Sequence, residues 1–200
     1  MYINAQYFEE FLQAKEILWL GIDFSHAKFT RKDFNYTPEI LRYYFNDWNM
    51  LIISDQKKYD IRLSFRKPIM AYDLSVISKL NKSIKPSTIL RDNIGIQDLI
   101  TEDQVCAYIA SLHVPTSHRF GLFFLVESFD GSSKTGAVWV IIMDTIMKAP
   151  VLCEKFLKIP GGFGTKSYWG RVFYNLFYDI KNYAFYRWEN MIKNNNVEEK

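Results

Sequence analysis

Two hundred residues, 48% of them hydrophobic, suffice for one domain with a large buried interior. A formal charge of +3, from 25 basic and 22 acidic side chains, is too balanced for the whole molecule to act as a nucleic-acid or membrane-surface binder, and no apolar run approaches the roughly 18 residues that cross a bilayer. The outlier is aromatic content: 16 Phe, 13 Tyr and 5 Trp imply a thick core plus some aromatic surface able to meet a partner.

The N-terminus, MYINAQYFEEFLQ, lacks the basic start and apolar stretch of an export signal. Cytoplasmic residence is the default expectation, with the periplasm or cell envelope as the alternative if such a signal was removed. Residues 6–15 space Phe8, Phe11 and Leu12 as on a short amphipathic helix. ILWLGIDF, residues 17–24, is apolar on both alternating faces up to Asp23, as a central strand covered on both sides would be. Thr37-Pro38 opens a helix, and Leu41, Tyr44, Phe45, Trp48, Leu51 and Ile52 form its apolar stripe. KYDIRLSFR, residues 58–66, alternates like a half-exposed strand, with an irregular continuation of the helix as the other reading. Pro68 ends either. Residues 73–81 read as a short helix and 87–92 as a short strand after Pro86. Thr101 and Gln104 form a capping box, Val105, Tyr108, Ile109 and Leu112 continue the helix, and Pro115 marks its end.

The second half is the most legible. Residues 119–129, 137–144 and 151–159 read as three strands with short connections, hence an antiparallel meander, whose third member has the mixed pattern of an edge. From Lys166, a stripe of Trp169, Val172, Phe173, Leu176, Ile180, Tyr183 and Ala184 predicts a long helix to about residue 193, and the tail NMIKNNNVEEK reads as a frayed end. The expected fold is α+β, an α/β sandwich in a single domain over 1–200. Its mixed sheet has a central N-terminal strand and a C-terminal meander, with helices packed on it, including the long last one.

GGFGTKSYWG, residues 161–170, invites a phosphate-loop reading and does not support one. Thr165 intrudes between Gly164 and the Lys166-Ser167 pair that a Walker loop requires, and Ser167 stands where a dinucleotide fingerprint needs its third glycine. Glycines that let the chain turn, with Thr165 or Ser167 capping the next helix, explain the stretch. A sharper reading keeps the amides of that helix start, with Lys166, Ser167 and Arg171, as an anion site. Asp23, Ser25 and His26 cluster after the first strand, where turn chemistry is the simpler account and a ligand site the alternative. His113 and His118 lack the spacing of a metal pair, and Glu127 and Asp144 near strand ends could in principle share acid/base work. The two cysteines, Cys106 and Cys153, read as buried free thiols, a disulfide being possible without being indicated. No cofactor or metal motif is present. On the last helix Tyr174, Tyr178, Phe185 and Tyr186 fall outside the narrow stripe and are the candidate partner surface, with Tyr168 and Trp169 near the loop as lesser candidates.

LWLGIDF and the hairpin VWVIIMDTIMKAPVLCEKF carry a resemblance in order of elements to the α/β domain of the envelope lipoproteins that activate peptidoglycan synthases and of the curli-secretion lipoprotein. This chain lacks their lipobox cysteine, their export signal and the Thr-Gly of their hairpin turn. The resemblance implies a protein-binding accessory role, with no residue transferred. The sequence thus favours a non-enzymatic interaction module, in cell-envelope assembly on the resemblance, that binds a protein partner or a second copy through the last helix or the meander edge, and not nucleic acid. A small enzyme or anion-binding protein, with a site joining the Asp23–His26 loop to the Gly161–Lys166 loop, is the alternative.

Overall fold

A computed structural model describes residues 1–34 and 36–198, with side chains up to residue 194. Eight strands form one mixed sheet, β1 (Tyr2–Ile3), β2 (Glu16–Asp23), β3 (Lys28–Thr30), β4 (Ile69–Tyr72), β5 (Leu90–Arg91), β6 (Phe120–Asp130), β7 (Thr135–Asp144) and β8 (Ala149–Lys158), in the order β1-β8-β7-β6-β2-β4. Strand β2 runs parallel to β4 and β6, and β3 continues along the same edge of β6 and takes β5 beside it. The β6-β7-β8 meander is antiparallel, as the short connections predict.

Two unequal layers cover the sheet. On one face lie α1 (Ala5–Gln13), α2 (Pro38–Ser54), α3 (Ile61–Phe65) and a last helix made of α7 (Thr165–Asp179), a π-turn (Ile180–Ala184) and α8 (Phe185–Glu198). On the other lie α4 (Ser75–Ser83) and α6 (Glu102–Ser111), the single-turn α5 (Pro86–Ile89) standing before β5. Fifteen of the 16 phenylalanines and all five tryptophans are buried, so the aromatic excess is spent mostly inside. Phe129 stacks on Trp169 at 4.7 Å between ring centres and Phe24 on Phe45 at 4.5 Å, welding β2, β6, α2 and α7 together.

Local signals explain where the helices begin. The Thr37 hydroxyl accepts from the Ile40 amide with Pro38 behind it, and Thr101 and Gln104 exchange bonds as a capping box. The start of α7 departs from expectation. Gly164, at φ 74°, is its N-cap with no side-chain cap, because Thr165 turns its hydroxyl to Tyr36 (2.5 Å) and Ser167 is exposed. At the other end of α1, buried Lys67 reaches the carbonyls of Phe11, Leu12 (3.2 Å) and Ala14 (3.0 Å), supplying the positive charge that a helix C-terminus favours. Burial pushes this ammonium down to about 8.

The weak middle of the sequence is where the reading fails. Residues 58–66 hold the short helix α3, capped by Asp60 and separated from α2 by a turn, and not a strand. Residues 87–92 give only the two-residue β5 after the turn of α5. Strands β1, β3 and β4 are too short to show a period. The last helix runs to Glu198, past the expected end, while Glu199 and Lys200 of the expected frayed tail lie outside the described residues.

The π-turn corrects two assignments at once. One extra residue per turn shifts the buried stripe by a position, so that Ile180 is followed inward by Ala184, Phe185, Trp188 and Ile192. Tyr183, expected inside, is 59% exposed, and Phe185, expected on the partner surface, is buried at 1%.

Candidate functional site

A bulge decides which way the end of β2 faces. Ile17 and Trp19 point to the α2/α7 layer and Leu18 and Leu20 to the α6 layer, so unbroken alternation would put Asp23 under α2 and α7. The register shifts at Gly21, φ 117°, and the phase reverses: Ile22 and Phe24 join the aromatic layer while Asp23 bonds the hydroxyl of Tyr108 on α6. A matching shift in β6 between Val126 and Ser128 sends Phe129 to the aromatic layer.

Beyond Tyr72, β4 no longer covers β2, and two asparagines stand in for a strand. Asn49 on α2 accepts from the Ile22 amide (2.7 Å) and donates to its carbonyl (3.0 Å); Asn81 on α4 accepts from the Phe24 amide (2.9 Å) and donates to the Ile22 carbonyl (2.8 Å). Buried backbone groups demand such partners. A Cβ on Gly21 would lie 2.6 Å from the Asn49 oxygen, so this residue must be glycine for contact as well as for φ.

Asp23 is fully buried. Its Oδ1 accepts from the Ser25 amide (2.8 Å) and its Oδ2 from Tyr108; Ser25 and His26 share a hydrogen bond (3.0 Å), and the His26 ring meets Tyr108 edge-on at 4.4 Å. Desolvation raises the Asp23 carboxyl above its usual range against these hydrogen bonds, and lowers the His26 imidazole. The Ser25 hydroxyl also meets that of Tyr108 (3.3 Å), so the arrangement ties α6 to the end of β2.

The glycine loop belongs to the opposite layer. Lys166 pairs with Asp47 (2.6 Å) on α2, the Lys166 carbonyl accepts from the Trp48 indole (3.0 Å), and Arg171 lies over the Tyr174 ring at 4.3 Å. The structure therefore does not bring Asp23 and His26 together with Lys166, Ser167 and Arg171, which lie on two sides of the sheet. Glu127 and Asp144 sit near opposite ends of the β6-β7 hairpin, about 20 Å apart at strand rise, too far to share a proton. His113 contacts the Ser111 carbonyl (3.0 Å) and His118 pairs with Glu16 (3.4 Å), separately. Cys153 is buried, whereas Cys106 on α6 is only half-buried; both thiols are free, and burial raises both pKa values.

What stands out on the surface is the far end of the meander. Strand β1 pairs only with Leu152 and Cys153, leaving the outer edge of β8 from Glu154 to Lys158 without a strand among the described residues. Leu157 of this strand is 65% exposed, and the segment that follows exposes Ile159 (71%) and, between two glycines of positive φ, Phe163 (98%). The α6 layer stops short of this end, so a groove of about 570 Å³ remains, walled by Ile96, Leu99, Ala137 and Leu157. At its floor Glu127, buried, accepts from the Trp139 indole (3.2 Å), the Ile100 amide (3.2 Å) and Lys155 (2.9 Å). Phe163 and Ile96 escape sequence reading because loop residues have no period; an isolated Phe flanked by glycines was the available signal.

Of the aromatic candidates, Tyr178 and Tyr186 are exposed, Tyr168 and Tyr174 are half-buried, and Trp169 is in the core. Tyr183 joins the exposed group, and Arg66 lies 3.9 Å over Tyr186. Set against family models, curated proteins and solved structures, the chain matches none of them. No helix among the described residues is long and apolar enough to cross a membrane.

Proposed function

We propose that this protein is a non-enzymatic interaction module whose main contact is the open margin of β8. The carrying observation is Leu157 standing in water on an unpaired strand edge, with Ile159 and Phe163 exposed in the segment that follows the strand, where burying apolar side chains and pairing free backbone groups reward a partner together. Tyr178, Tyr183 and Tyr186 extend the contact face along the last helix. The partner is a protein that offers an extended segment. The resemblance of LWLGIDF and the meander hairpin to the envelope accessory domains is what points this reading to assembly at the cell envelope.

The test compares wild type with a Leu157→Lys, Phe163→Asp variant by light-scattering mass and by photo-crosslinking from position 163. Wild type should self-associate or crosslink a defined partner, and the variant should do neither at an unchanged melting temperature. A monomer that crosslinks nothing in its native extract defeats the reading.

A further inference from the structure

Where α3 meets the last helix, a pocket of about 180 Å³ opens between Lys57, Lys58 and Lys181, walled by Tyr174 and Tyr178 over Phe177. Neighbouring cations are spoken for: Lys158 holds Asp179, Arg66 holds Glu189 and Lys166 holds Asp47. Lys57 and Lys181 have no hydrogen-bond or ion-pair partner among the described residues, and Lys58 lies over the Tyr59 and Tyr174 rings. The single carboxylate lining the pocket, Asp60, is engaged by the Leu63 amide (3.0 Å) at the start of α3. Three lysines against one aspartate leave two unbalanced positive charges here, in a chain whose whole excess is +3. The π-turn carries Lys181 to this wall, and such turns interrupt regular helix hydrogen bonding and recur at functional sites.

We propose that this pocket binds a phosphoryl group. Ammonium groups act as point charges and can approach a compact, doubly charged anion from several sides, whereas a planar carboxylate is better served by the guanidinium fork that this lining lacks. Tyr174 and Tyr178 wall the pocket, the Tyr178 hydroxyl being held by that of Tyr183, and leave the lysines as its charged donors. The site deepens the contact reading, on which it rests only for the source of the group: the phosphoryl is carried by the partner or is free in solution.

The test titrates the intact chain with inorganic phosphate at low salt, about 50 mM, following tyrosine and lysine resonances. Saturable shifts should centre on Tyr174, Tyr178 and Lys181, weaken about tenfold in Lys57→Gln with Lys181→Gln, and persist in Lys79→Gln on α4. Equal binding of glutamate, non-saturating shifts over all lysines, or an unaffected double variant overturns the proposal. A phosphoserine peptide that binds more tightly than phosphate assigns the group to a partner; equal binding assigns it to the free anion. The Leu157→Lys, Phe163→Asp variant should leave this titration intact, so a failed contact reading and a failed anion site are told apart.

Discussion

The two faces of the sheet are built from different material and end differently. The α2/α7 face is aromatic, filled by Trp19, Phe24, Phe129, Trp169 and Trp188, and roofed along its length by the last helix. The α6 face is largely aliphatic, with Leu18, Ile109, Phe123 and Ile141, and its two helices are short enough to leave Leu157 uncovered. Large rings give one layer its depth of burial, and economy on the other leaves a surface for something else to cover.

Mutations can sharpen this contrast. Trp169→Ala, which removes the ring stacked on Phe129, should cost about 4 kcal/mol in urea denaturation, against about 2–3 kcal/mol for Ile109→Ala on the thinner layer. Equal costs would erase the distinction. Glu127→Ala strands the Trp139 indole and the Ile100 amide and frees half-exposed Lys155; about 2–3 kcal/mol is expected, with Glu127→Gln milder. Asn81→Ala leaves the Phe24 amide bare and should cost about 2 kcal/mol, with faster hydrogen exchange at residue 24 as its local signature.

A subtler test is of pH. The folded carboxyl of Asp23 holds its proton above the usual range, so its contribution to stability is complete below the unfolded value and is lost as pH rises toward the folded one. Wild type should therefore gain stability relative to Asp23→Asn as pH falls from 7 toward 4. A constant difference between the two denaturation curves would refute this. The smallest effect is expected for deleting Asn182. Shortening the π-turn to an α-turn keeps Phe185, Trp188 and Ile192 facing inward and should cost under about 1 kcal/mol. By the same step it should weaken phosphate binding by moving Lys181.

The α+β class and the meander were legible because long strands and helices average their signal over many residues; Phe120–Asp130 and Thr37-Pro38 needed no context. What the sequence hid were single-residue departures from period. The bulge at Gly21 turned Asp23 away from Lys166, and the extra residue after Asp179 exchanged Tyr183 for Phe185. Neither leaves a compositional trace strong enough to outweigh the regular pattern around it. Residues 58–66 were misread for another reason: alternation over KYDIRLSFR suits a strand, yet the Asp60 cap and the left-handed Arg66, φ 51°, close a helix of five residues.

The paired carboxamides of Asn49 and Asn81 carry a last implication. By occupying the main-chain groups of Ile22 and Phe24, they close the end of β2 beyond Tyr72 against a foreign ribbon, which would have to evict two side chains from two helices before it could zip on there. The closure is local: it holds the stretch of β2 that runs on past Tyr72, so that this piece of main chain is finished by side chains where its neighbour strand ends.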